Sequence, residues 1–600
     1  MNPKVIPTGN EYLSLPEINE NDASISGLSV LYMRYKGLIE LRGDENTPLF
    51  TPFIIVDNRE IPLENLKWQL LNHWVPMFTA KVQGLTVEGV ILTPVGERGF
   101  VYRLTVKNTS EMVLNVAVCL KGLWRYALHE INETKEISAV KRVYNSNWNH
   151  TMLFELQGET GILALAPIFS QPVMAEYETN ATGGIAYRLI ADTVSLEKGS
   201  SCSVDFYWGV GFEEVSAATS AKEIMRRGYE YELNKTLGWL KQREKVIPDA
   251  YLCRILNRNM FFNFFYASGI TIDTEELTLM TSRSPRYYVS AAYWDRDSLL
   301  WSFPSILLAD SVYAREILLY VFSRQIRNIG IHSRYIDGTL LEPGFELDEL
   351  CAPIIALYGY INKTKDTALL TVPCVQNGVR FILKRLAEMK HPAVSLYETF
   401  LQPTDDEIVY PYITYDNVLV WSLFENLAQL YKGIWAEEET NTLAQNAIKV
   451  REAIYKHCVK EYRGKRIFAW SVDLNGKWDV YDEPPGSLQL LPHYGFCGSE
   501  DEVYKNTVTV LRDPEYAYSF SGCNIAEIGC PHAPHPWVLS IANSLLCGRL
   551  EQCRDILLKT SLDNGIACES VHETTGECTS GEAFATCAGF LAYAIHTAYQ

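Results

Sequence analysis

The sequence predicts a two-part chain, an antiparallel β-sandwich followed by an α/α toroid. Three observations predict it. Apolar residues recur with period two up to about Val210, they recur at helical spacing beyond Ala250, and 600 residues exceed what one ordinary core holds. The expected divisions are a sandwich over residues 1–213, a helical linker over 214–248 and a toroid over 249–600.

In the first part, Phe100, Tyr102, Leu104 and Val106 alternate with Val101, Arg103, Thr105 and Lys107. Val116, Val118 and Leu120 alternate with Asn115, Ala117 and Lys121, and Val204, Phe206, Trp208 and Val210 repeat the scheme. Such alternation marks half-buried strands. Lys107-Asn108-Thr109-Ser110, Thr182-Gly183-Gly184 and Lys198-Gly199-Ser200 supply the turns between them. Many short strands at this spacing predict a sandwich.

From Ala221 to Lys245 the chain is charged and helical, and Ala250–Tyr266 is apolar nearly all round, as in a buried helix. Helical spacing follows at Val375, Val379, Ile382 and Leu386, then at Val420, Leu423, Leu427 and Leu430 with Asp416 as the expected N-cap, then at Leu443, Ala447, Val450 and Ile454. Long loops such as Tyr397–Tyr415 and Asp473–Ser487 alternate with short connections. That alternation suits paired helices closing into a toroid whose long loops line a central pocket.

The formal charge of −19 argues against nucleic acid and against an acidic membrane surface as partners. Fourteen cysteines without zinc-type spacing read as reduced thiols, and no secretory signal or membrane-length apolar run is visible. The expectation is a cytoplasmic protein. No phosphate-cradling loop or dinucleotide fingerprint occurs, so no cofactor is expected.

The candidate chemistry lies in four acidic segments. Tyr293–Trp301 carries Asp295, Arg296 and Asp297, PGFELDELCAPI carries Glu346 and Asp348, LQPTDDEIVYPY carries Asp405, Asp406 and Glu407, and NGIACESVHETTGE carries Glu569. Two carboxyl groups across a pocket can hydrolyse a glycoside, one protonating the leaving oxygen and one activating water. Repulsion within Asp405–Asp406–Glu407 is expected to raise the pKa of the acid. His493, His532 and His535 read as pocket-lining donors or structural residues, and no metal site is expected because no third ligand stands at suitable spacing.

These segments resemble glycoside hydrolase family 125, the metal-independent exo-α-mannosidases. Trp294–Ser298, WDRDS, is similar to the family's W-x-R-D-S, and FELDELCAPI at Phe345–Ile354 to its Y-E-L-D-S-L-C-Y-P-L. Gln402–Tyr412, Asp482–Phe496, Asp513–His532 and Gly565–Ser570 continue the family's order. The resemblance implies an (α/α)6 six-hairpin glycosidase that hydrolyses a terminal α-linked sugar with inversion and without a metal. It implies a general acid in the pair Asp405 and Asp406, with Asp406 favoured, and Glu569 as general base. Trp294, Arg296, Asp297, Glu346, Asp348 and His532 would bind the sugar. Cys568 stands where the family has His, and Thr399–Thr404 differ from its S-G-F-R-P-S. The β-region lies outside the match and resembles the amylo-1,6-glucosidase and glucoamylase-type enzymes. Mannoside is therefore the first reading and glucoside the second, with a glycoside phosphorylase or a non-catalytic sugar-binding protein as rivals.

Overall fold

The computed structural model of the protein describes residues 4–180 and 183–600. The chain divides into two compact units. The first runs to Glu244 and includes Ser268–Leu277 and Arg283–Ala291; the second comprises Lys245–Ala267, Thr278–Ser282 and Ala292–Gln600.

The first unit is built from antiparallel sheets. An eight-stranded sheet centres on Gly99–Asn108, flanked by Ser201–Gly211 and Leu85–Leu92. A six-stranded sheet contains Gly27–Tyr32 and Gly37–Arg42, and another centres on Leu114–Trp124 between Ile185–Ala191 and Thr51–Val56. The predicted inward residues lie on two of these sheets and meet in one core, which Leu28, Val30, Ile39 and Leu41 of the third also join. Phe100, Tyr102, Leu104, Val106, Val116, Val118, Leu120, Val204, Phe206, Trp208 and Val210 are all members. Phe100 pairs with Trp208 across the ladder and their rings stack at 6.0 Å, while Phe50 meets both edge-on at 5.3 and 4.8 Å. Ala117 and Cys119 are also buried, on the opposite face against Phe53. In the predicted glycine turns, Gly183 and Gly199 have positive φ; Thr182 lies outside the described residues.

The charged helical run departs from expectation in one respect. It forms two helices, Glu214–Arg227 and Tyr229–Arg243, broken at Gly228, whose φ of 86° no helix interior admits. Both belong to the first unit.

The second unit is helical. Ala250–Tyr266 forms one helix, capped by Asp249 accepting from the Tyr251 and Leu252 amides. Helices Phe303–Ala309, Leu347–Thr364 and Thr414–Leu430 follow one another in space, and Val538–Leu546 packs on Ala585–Ala598. Ala585–Ala598 returns to pack on both Phe303–Ala309 and Ala250–Tyr266, which closes a ring. Between Thr414–Leu430 and Val538–Leu546 the ring is completed by the irregular stretch Pro484–Leu490, two short 3-10 turns instead of a full helix. Gly486 lies against Tyr415, and the Tyr415 and Tyr494 hydroxyls are 3.2 Å apart. The helices Pro373–Glu388 and Glu437–His457 bury the predicted apolar faces.

Asp416 is not an N-cap. It is the third residue of Thr414–Leu430, fully buried, and its Oδ1 has no hydrogen-bond partner among the described residues. The helix starts earlier because the Thr414 amide donates to Trp470 O. All fourteen cysteines are free. Among the described residues no helix is long and apolar enough to cross a membrane.

Candidate active site

Tyr293 pairs its backbone with Arg334, and the chain then enters a π-helical turn, Arg296–Ser302, in which the Phe303 amide donates to Ser298 O. Such wide turns concentrate at functional sites. Here the turn sends three successive side chains to three different partners. Asp295 takes the Arg334 guanidinium and the Tyr293 hydroxyl, the latter at 2.6 Å. Arg296 enters an acidic cluster, and Asp297 accepts from Thr586 Oγ1 at 2.9 Å. Asp295 is thus part of a buried lock with Arg334, completed by Glu349, which accepts the backbone amides of Asp295 and Arg296.

Arg296 is 1% exposed and bonds Glu346 at 2.9 Å and Asp405 at 3.2 and 2.9 Å, with Asp348 Oδ2 3.3 Å from its Nε. His332 Nδ1 lies 2.7 Å from Glu346 Oε1, and the ring of Trp294 meets the His332 ring edge-on at 5.6 Å. The Trp294 indole N–H is buried and has no acceptor among the described residues. Buried donors are normally paired, so this N–H and Asp416 Oδ1 are free for a ligand hydroxyl or water.

Two guanidinium groups, Arg296 and Arg334, face seven carboxyl groups: Asp295, Asp297, Glu346, Asp348, Glu349, Asp405 and Asp416. Burial pushes Glu346, Asp348 and Glu349 upward against the pull of Arg296. Burial, with Asp348 adding to it, raises Asp416 further, and burial pushes Asp297 up to about 7 despite Arg296. Positive charge is therefore insufficient, and burial favours the protonated form of these raised acids. A mixture of protonated and ionised carboxyl groups both donates and accepts hydrogen bonds, which matches a neutral polyhydroxyl ligand.

The second group lies on the loop after Pro373–Glu388. Residues 402–406 form a tight turn in which the Asp405 amide donates to Gln402 O at 2.8 Å and the Gln402 amide to Asp406 O at 3.0 Å. Asp405 sits at φ 67°, a left-handed conformation unusual for a non-glycine residue. The turn separates the two aspartates. Asp405 is held by Arg296, whereas the Asp406 side chain is 48% exposed and lies 3.2 Å from His532 Nδ1. The other nitrogen of His532 is 4.0 Å from Glu569 Oε1. Glu569 is 4% exposed, accepts from Ser580 Oγ at 2.6 Å and has its amide near the Ser580 and Gly581 carbonyls.

The expected repulsion among Asp405, Asp406 and Glu407 is not the arrangement found. Asp405 is neutralised by Arg296, and Glu407 is exposed and bridges Leu401. The carboxyl group that interacts with Asp406 is Glu483, which the sequence reading had not singled out. His332, Glu349, Asp416 and Thr586 were likewise missed. His493 and His535 stand apart: His493 is half-buried beside Tyr494 and Tyr593, with desolvation lowering it to about 4, and His535 pairs with Glu573 at 2.9 Å.

His332, Glu346 and Asp405 bring ligand atoms within 4.8 Å of one another, close enough for a metal ion. The Arg296 guanidinium already bonds both carboxylates of that set.

Residues 389–595 match the family model described as metal-independent alpha-mannosidase (GH125). The resemblance to that family holds over this stretch. It takes in Asp405, Asp406, Glu483, His532 and Glu569, and the segments at Trp294–Ser298 and Phe345–Ile354 lie before it. No curated protein matches the chain. Many solved structures share its fold, three of them as follows. A Streptococcus pneumoniae metal-independent alpha mannosidase, in a non-productive complex with alpha-1,6-mannobiose, is 18% identical at a TM-score of 0.52 over 58% of this chain and 94% of its own. A bacterial glucoamylase complexed with acarbose is 13% identical at a TM-score of 0.64 over 100% of this chain and 94% of its own. A protein from the human microbiome described as a kojibiose phosphorylase is 12% identical at 0.58 over 98% and 86%. The fold is that of the six-hairpin glycosidases, with antiparallel sheets ahead of the helical part. Family match and fold together support a glycosidase or related glycoside-acting enzyme.

Proposed function

We propose that the helical unit is an inverting, exo-acting α-glycoside hydrolase that removes a terminal α-linked sugar, mannose first, from a small oligosaccharide or glycoside. The observation that carries this reading is the placement of Asp406 and Glu569 on either side of the His532 imidazole. Inverting enzymes need carboxyl groups about 6.5–9.5 Å apart to admit a water, whereas retaining ones need about 5–5.5 Å. A pair separated by a ring suits the wider class.

In this reading Asp406 gives its proton to the glycosidic oxygen as the bond to C1 breaks. Glu569 takes a proton from the water that attacks C1 on the opposite face. Asp405 is less available to a leaving group, because both terminal nitrogens of Arg296 bond one of its oxygens. Arg296, Glu346, Asp348 and Asp297 hold the hydroxyls of the terminal ring, the Trp294 N–H supplies a further donor, and His532 orients the two catalytic carboxyl groups. No metal enters the reaction.

An α-glucosidase of glucoamylase type is the second reading, favoured by a fold likeness that spans the whole chain. A phosphorylase would replace the attacking water with phosphate and would have no use for a carboxylate base at Glu569. The free cysteines support a cytoplasmic location.

The test is Glu569→Gln assayed on α-1,6-mannobiose and on the corresponding glucose disaccharide, with the anomer released by the native enzyme followed by proton NMR. The expected result is loss of turnover by about 10²–10⁴-fold with unchanged thermal unfolding, and release of the β-anomer by the native chain. Near-normal turnover of the variant, a retained α-anomer, or a strict requirement for phosphate would each reject the reading.

A further inference from the structure

We propose that Glu483 is the positioning residue of the general acid, fixing the turn that carries Asp406 through two bonds to Thr404. The proposal rests on the reading of Asp406 as the acid.

The contacts are specific. Glu483 is fully buried. Its Oε2 accepts the Thr404 amide at 3.1 Å, and its Oε1 accepts the Thr404 hydroxyl at 2.8 Å and the Tyr481 hydroxyl at 3.0 Å. Thr404 sits inside the turn that the Gln402 and Asp405 amides close, so holding Thr404 fixes the exit direction of Asp406. Beside this grip, Gly486 admits Pro403: a Cβ at that position would lie 2.5 Å from the proline Cγ and 2.9 Å from its Cβ. The Asn543 side chain anchors the segment from behind by donating to Pro484 O at 2.9 Å. Asp482-Glu483-Pro484-Pro485-Gly486 is thus a rigid clamp on the acid loop, in the part of the ring where a full helix is missing.

Burial pushes Glu483 up to about 8, opposed by the bonds from Thr404 and Tyr481 and reinforced by Asp406.

The experiment compares Glu483→Gln with the native chain on a disaccharide and on the α-glycosyl fluoride of the same sugar. Glutamine keeps the shape but has one acceptor oxygen in place of two, so it cannot accept both from the Thr404 N–H and from the two hydroxyls. Expected are a fall in kcat of about 10- to 100-fold on the disaccharide, within the contribution of general acid catalysis, and a KM within about threefold. Activity on the fluoride, whose leaving group needs no proton, stays within about threefold. Equal losses on the two substrates overturn the proposal. Thr404→Val decides the matter if Glu483→Gln does not fold: it removes one bond to Glu483, so the disaccharide must suffer more than the fluoride. Asp406→Asn is the control. If it retains disaccharide activity, the assignment of the acid fails; if it loses that activity while Glu483→Gln behaves as native, only the present inference fails. No turnover of either mannoside or glucoside by the native chain overturns both.

Discussion

Arg296 holds Asp405 with both terminal nitrogens, at 3.2 and 2.9 Å from one carboxylate oxygen. This contact divides two adjacent aspartates that composition alone makes equivalent. A carboxylate fixed by a buried guanidinium is committed to that contact and well suited to shaping a pocket. Asp406, one residue on, faces His532 and open space.

The two aspartates should therefore fail in different ways. Asp405→Asn removes a charge-assisted bond of about 1.5–3 kcal/mol. It should raise KM by about 10- to 100-fold with a smaller effect on kcat, because it loosens Arg296 in the ring-holding cluster. Asp406→Asn should lower kcat by about 10²–10⁴-fold on substrates with poor leaving groups and leave KM nearly unchanged. Steady-state kinetics on a disaccharide separate the two, and the reversed pattern would exchange their roles.

Much of this site is local in the sequence and the rest is not. The helix Ala250–Tyr266 is legible because it is apolar all round and has Asp249 at its cap. The inward strand residues are legible because a two-residue period leaves one choice of face. Trp294, Arg296, Asp297, Glu346 and Asp348 stand out as charge among apolar neighbours, and the structure brings Arg296, Glu346, Asp348 and Asp405 together. His332 gave no such signal, being one histidine on a short strand, and its role comes from a partner 14 residues away. Glu483 is further removed still. Its grip on Thr404 spans 79 residues of chain and no periodicity encodes it. Asp416 misled because an acid near the start of a helix satisfies the capping rule, whereas here it lies inside the first turn, facing Asp348.

Asp297 makes stability depend on pH in an unusual direction. Burial raises its carboxyl group from 3.8 to about 7, so between those values the native chain binds a proton that the unfolded chain has released. Stability then falls as pH rises, since the unfolded state binds fewer protons. The contribution is fully present below about pH 4 and lost as pH passes about 7. Asp297→Asn keeps an acceptor for Thr586 and cannot ionise. The midpoint of thermal unfolding, followed from pH 5 to 9, should fall less with pH in the variant than in the native chain. Parallel curves would mean that Asp297 is not protonated in the folded state.

The cluster of His332, Glu346 and Asp405 poses the remaining question, because its ligand atoms lie close enough together to bind a cation. Two features oppose a metal there. Arg296 already bonds Glu346 at 2.9 Å and Asp405 at 2.9 Å, so an ion would have to displace a buried guanidinium, leaving that charge unpaired at a cost of about 3–5 kcal/mol. The imidazole nitrogen nearest the carboxylates is also engaged, 2.7 Å from Glu346 Oε1. Dialysis against EDTA should therefore leave kcat and KM unchanged, and added divalent ions should not raise activity. Loss of activity on chelation, restored by one divalent ion and abolished again in His332→Ala, would show that the ion and not Arg296 organises these carboxylates.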